Sequence, residues 1–105
     1  MVLKLMPDYH CHPVWEIRED GLVNVDPQAL PITAGLKTKL LAWAKQYDET
    51  FDRQNPGSSG FPSGTDRGRF DSQGRVLWQE LQRELGRDEE VTYFSVAEAR
   101  TLCRS

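Results

Sequence analysis

The chain has 105 residues, with 13 basic and 16 acidic side chains, a formal charge of −3 and 38% hydrophobic residues. That balance fits a single domain over residues 1–105, and a domain this small buries only roughly two-thirds of its unfolded surface, which leaves little room for a large cofactor pocket. It argues against a general nucleic-acid binder, which needs a basic excess. No apolar run reaches the roughly 20 residues of a membrane-spanning helix, and Met1 to Asp8 lacks the basic and apolar regions of a secretion signal, so the expected setting is the cytoplasm.

In chain order, Leu3 and Leu5 alternate with Lys4 and Met6, and Trp15 and Ile17 alternate with Glu16 and Arg18. A period of two predicts strands with one covered face. Glu19-Asp20-Gly21 signals a turn, so Pro13 to Arg18 and Leu22 to Val25 form an expected hairpin. From Thr33 to about Arg53, Leu36, Leu40, Trp43, Ala44, Tyr47 and Phe51 recur at steps of three and four, the apolar face of an amphipathic helix capped by Thr33. Gln54 to Gly64 is rich in Gly, Pro and Ser and reads as a loop. Phe70, Gly74, Leu77, Trp78, Leu81 and Leu85 then mark a second helix from about Asp66 to Leu85, closed by Gly86. Val91 to Phe94 is a β-branched and aromatic run that suits a buried strand, and Ser95-Val96-Ala97-Glu98 has the spacing of a capping box, which predicts a short C-terminal helix through about Leu102.

This order predicts an α+β fold: a small, mainly antiparallel sheet with two long helices packed on one face and a short C-terminal helix. The last strand has to return across the helical pair and lie beside the first. Trp15, Trp43 and Trp78 are expected in the core, and Phe61 is expected to pin the Gly-Ser-Pro loop to the body.

Among groups that carry chemistry, Asp8, His10 and His12 stand out. On an extended strand they face one side, so a carboxylate and two imidazoles can approach one metal ion. Zinc usually takes three or four protein ligands, and beyond Cys11 and Cys103 the chain offers no other Cys or His, so no bound metal or other cofactor is the expectation. A small metal-dependent enzyme built on Asp8, His10 and His12 remains the alternative reading. Cys11 and Cys103, without an export signal, are expected to be reduced. No nucleophile elbow or phosphate-binding loop is present. Arg67, Arg69 and Arg75 cluster near the start of the second helix, where Asp66 and Asp71 offset them as on a solvated helix face.

The acidic groups are more pointed. Residues 8–26 hold five acids, Asp8, Glu16, Glu19, Asp20 and Asp26, against the single base Arg18. Asp48, Glu49 and Asp52 gather at the C-terminal end of the first long helix, where the helix dipole disfavours each anion by roughly a few tenths of a kcal/mol. An acidic surface complementary to a basic partner would account for both clusters.

At Asp8-Tyr9-His10-Cys11-His12-Pro13-Val14-Trp15-Glu16, Asn24-Val25-Asp26-Pro27, Leu30-Pro31, Leu41-Ala42-Trp43-Ala44 and Ser58-Ser59-Gly60-Phe61 the chain resembles a group of small bacterial proteins, over about residues 1–95. Some compact acidic proteins of this size serve as immunity proteins of contact-dependent growth inhibition and related toxin systems. The resemblance implies a cytoplasmic protein-binding module and no enzyme. Its partner would be a cognate basic toxin such as a nuclease, with neither nucleic acid nor membrane bound, and the protein would be a monomer or small homo-oligomer. The resemblance carries no catalytic motif, so the expected partner-binding residues come from the charge pattern: Glu16, Glu19, Asp20, Asp48, Glu49 and Asp52.

Overall fold

The computed structural model describes residues 1–103. Five strands and two long helices follow one another as β1 (Val2–Leu5), β2 (Val14–Arg18), β3 (Gly21–Val25), α1 (Ala34–Asp48), α2 (Gly64–Leu85), β4 (Glu90–Ser95) and β5 (Arg100–Leu102), with short 3-10 turns at Pro27–Ala29 and Pro56–Ser58. The strands form one sheet in the order β3-β2-β1-β4-β5. The α+β class is as expected, but the sheet is mixed: β1 pairs antiparallel with β2 and parallel with β4.

The helices explain the parallel pair. Asp48 at the end of α1 meets His10, just past the end of β1, whereas Thr33 at the start of α1 meets Glu84 near the end of α2. α1 therefore runs in the direction of β1 and α2 runs back. The chain then enters β4 from the end where β1 begins, with the Glu90 N–H donating to Met1 O.

Both helices start on side-chain caps. Thr33 Oγ1 accepts from Leu36 N, and the Glu84 carboxylate accepts from Thr33 N–H and hydroxyl at 2.7 and 3.0 Å, placing a negative charge at the positive end of α1. Ser63 caps α2 by accepting from Asp66 N, slightly earlier than the periodicity indicated, and Gly86 closes it at φ 84°. α1 stops at Asp48, short of Arg53. There Thr50 N–H and hydroxyl both donate to Tyr47 O, which bends the chain away while Phe51 still packs.

Strand register puts Leu3, Leu5, Val14, Val91 and Tyr93 on one face, beneath Leu36, Leu40, Trp43, Phe70, Leu77 and Leu81 of the helices. Burying side chains of this kind contributes roughly 1.5–3 kcal/mol each before entropy is subtracted. Trp43 lies stacked on Phe70 with ring centroids 4.4 Å apart and donates from Nε1 to Phe70 O. Phe61 packs against Tyr47 and Phe70, as expected of a loop pin.

Two expectations are corrected. Trp15 is not a core residue: Leu5 pairs with Val14, so Val14 and Glu16 share the covered face, and Trp15 lies half-buried with exposed Ile17 on the face away from the helices. The short C-terminal helix is instead the hairpin β4–β5. Ser95 Oγ does accept from Glu98 N at 3.1 Å, as in a cap. However, the Glu98 carboxylate turns to Arg75 and Arg100, Ala99 adopts a left-handed φ of 54°, and Arg100 to Leu102 pair with Ser95 to Tyr93.

Candidate functional site

The Asp8-to-His12 segment is a turn. Cys11 N–H donates to Asp8 O, and His10 takes φ 60°, a left-handed conformation that non-glycine residues seldom adopt. Its backbone N–H is held by Asp48 Oδ1 at 2.9 Å. Tyr9 fills the space beneath, stacked on Tyr47 and bonded through its hydroxyl to Thr50. His12 is clamped by Asn24, which accepts from His12 N and donates to His12 O, and its imidazole lies 3.9 Å from Asp26, an exposed pair. The extended geometry that would align Asp8, His10 and His12 is therefore absent. Among the described residues, no three His, Cys, Asp or Glu side chains come close enough to share a metal ion.

Cys11 lies beside this turn and is part-buried. Burial, followed by the charges of Asp8 and Asp48, pushes its thiol pKa up, so at neutral pH it is a thiol rather than a nucleophilic thiolate. The two cysteines are free.

The acidic residues fall into two groups at opposite ends of the sheet. Asp48, Glu49 and Asp52 lie where α1 ends. Asp48 serves the His10 N–H, and Asp52 Oδ1 accepts from Gln54 N and Asn55 N at 3.0 and 3.1 Å, closing the turn after the helix. Glu49 is exposed, with no partner for its carboxylate among the described residues. At the other end, Glu19 and Asp20 form the exposed β2–β3 turn closed by Gly21 at φ 137°, and Glu16 is bound by Arg18. Four strand steps along β2 separate the ends by roughly 13 Å.

A buried polar network, unrecognised in the sequence, joins α2 to the β4–β5 hairpin. Asp71 is 3% exposed; it accepts from Tyr93 Oη at 2.8 Å and from Arg75 Nε at 2.9 Å. Arg75 extends on to Glu98. Burial pushes the Asp71 carboxyl up, but hydrogen bonds from Arg75, Tyr93 and Ser95 outweigh it and hold the pKa below the ordinary value. Burial and the Asp71 charge together push the Tyr93 phenol well up. Asp71 thus offsets Arg75 as expected, and the further bond to Glu98 makes Arg75 a structural cation joining α2 to the hairpin. The one local signal for this network was the i, i+4 spacing of Asp71 and Arg75.

No helix among the described residues is long and apolar enough to cross a membrane. The curated proteins include no match to this chain. The model of the family described as Serratia CdiI immunity protein-like matches residues 1–96, which takes in both helices and all of β1 to β4, so the chain belongs to the Serratia CdiI immunity protein-like family.

Proposed function

We propose that this chain acts as a single domain in the cytoplasm, as a binding protein and not an enzyme. It would neutralise a cognate basic toxin, such as a nuclease, by laying acidic groups over the toxin's active site or substrate surface. Family membership over residues 1–96 is the observation that carries this reading. The charge distribution supports its electrostatic part. Glu19, Asp20 and Glu49 are exposed, with no carboxylate partner among the described residues. Glu16, Asp48 and Asp52 add charge while holding local structure. A nuclease that grips phosphate is basic, and an acidic cover speeds encounter with it at low salt.

The test is co-expression and kinetics. Cells carrying the cognate toxin should grow only with this chain present, and loss of protection would refute neutralisation itself. With the isolated pair, association should slow as salt rises. Asp48→Asn with Asp52→Asn should slow it further at low salt, because asparagine keeps the acceptor oxygens that His10, Gln54 and Asn55 use and removes only the charge. Salt-independent association, or an unchanged rate in the double variant, removes the Asp48 end from the interface.

A further inference from the structure

On the opposite edge of the sheet from Glu19 and Asp20, a groove runs between the flank of α2 and β5. Its walls include Arg75, Arg83, Arg87 and Arg100, with Glu98 the sole carboxylate among them, and Trp78 and Leu102 supply apolar lining. Asp71 offsets Arg75 and Glu98 offsets Arg100. Arg83 and Arg87 are exposed, and among the described residues neither has an ion-pair or hydrogen-bond partner. Two uncompensated cations facing one groove contrast with a chain whose formal charge is −3.

Because β5 is an edge strand, half of its backbone donors and acceptors point away from β4. Its helix-side residues Arg100 and Leu102 face the groove, since they pair with Ser95 and Tyr93 of the covered face. An occupant that matches these features has negative charge for Arg83 and Arg87, apolar side chains for Trp78 and Leu102, and an amide backbone to pair with β5. We propose that the groove binds an extended acidic polypeptide segment, added as a strand beside β5, whose groove-facing alternate residues include both acids and apolar side chains. Nucleic acid fits less well. It has no amide backbone to pair with the edge, and a long polyanion leaving the groove meets the acidic remainder of the chain, whereas a short segment feels mainly charges within about 8 Å at physiological salt. The site is separate from the acidic ends and does not depend on toxin neutralisation.

The probe is a short fluorescein-labelled peptide, Glu-Thr-Val-Thr-Glu-Thr-Val, which brings Glu and Val to one face of a strand, titrated with the whole protein and followed by fluorescence anisotropy. Saturable binding is expected, weakened about tenfold or more by Arg83→Gln with Arg87→Gln and weakened by salt. Among the described residues both exposed arginines lack partners, so the variant should melt as the parent does. The same sequence N-methylated at every backbone amide keeps its side chains but cannot donate to β5, and should bind more weakly. Absence of saturation, equal affinity of parent and variant, equal binding of the N-methylated peptide, or binding of a labelled oligothymidylate in place of the peptide would each overturn the proposal.

Discussion

Gly74 sits on the inner face of α2, where Trp43 of α1 and Tyr93 of β4 press against the helix. A Cβ built there would lie 2.6 Å from Trp43 Cζ2 and 2.9 Å from Tyr93 Cε1, with the Tyr93 hydroxyl oxygen closer still. In an open helix position Gly→Ala stabilises by roughly 1 kcal/mol. At Gly74 that gain meets two opposing effects. Overpacking among rigid aromatic rings costs about 1–3 kcal/mol. Displacing Tyr93 also strains its hydrogen bond to buried Asp71, and a bond to a charged group contributes about 1.5–3 kcal/mol. Gly74→Ala should therefore destabilise by roughly 2–4 kcal/mol, which for a chain of this length lowers Tm by about 10 °C or more.

Gly68, in the same helix with nothing within 4 Å of its would-be Cβ, is the control. Gly68→Ala should raise stability by up to about 1 kcal/mol. Urea unfolding followed by circular dichroism measures both. Adding Tyr93→Phe to Gly74→Ala removes the nearest atom and should recover part of the loss relative to the two single changes taken additively. If Gly74→Ala is as stable as the parent, the close packing of α1, α2 and β4 described above is wrong.

Other consequences are sharp in sign. Ala99→Gly should stabilise by about 0.5–1 kcal/mol because Ala99 is left-handed; in a C-terminal helix the same change would cost about 1 kcal/mol, so thermal melting separates hairpin from helix. The folded-state pKa of Asp71 is lowered from 3.8, so its contribution is complete above that value and is lost as pH falls through the folded pKa. Glu98, lowered from 4.5 by Arg75 and Arg100, acts in the same direction. Asp71→Asn should weaken the protein at neutral pH and flatten its acid unfolding below pH 3.8, the value from which the Asp71 pKa is lowered; an unchanged acid profile would exclude the network. Maleimide at pH 7 should modify exposed Cys103 before part-buried Cys11, as followed by mass spectrometry; equal rates would show that neither burial nor the Asp8 and Asp48 charges protect Cys11.

Which parts of this fold are legible in the sequence depends on how local their causes are. α2 is legible because Phe70, Leu77 and Leu81 repeat at helical spacing and meet the same core along the helix. Strand alternation in β2 is legible too, but a period of two says which residues share a face and not which face is covered. The pairing of Leu5 with Val14 decides that, and it leaves Trp15 outside. The capping spacing Ser95 to Glu98 is real as a hydrogen bond. Its outcome is set by Arg75, 23 positions away, which takes the Glu98 carboxylate that a capping box needs. The His10 turn is likewise held by Asp48, 38 positions distant, so the alternation of Asp8, His10 and His12 carried no trace of it.

The acidic groups show the same division. Charge can be counted in a sequence, but availability cannot. At the end of α1, Asp48 and Asp52 look unfavourable against the helix dipole and against each other, and that apparent cost suggested selection for a partner. The structure supplies internal reasons for both: one carboxylate fixes a left-handed histidine and the other closes the turn after the helix. In these bonds the carboxylate oxygens accept from neutral backbone N–H groups, so no countercharge is brought to this end. A partner that approaches this end therefore meets charge already held in place and orders fewer side chains on binding. At the β2–β3 turn, Glu19 and Asp20 have no such anchorage among the described residues. Any contact they make would bear that ordering cost, so under the proposed function charge-neutralising substitutions at Asp48 and Asp52 should weaken toxin binding more than the same substitutions at Glu19 and Asp20, and an equal loss of affinity at the two ends would refute this reasoning.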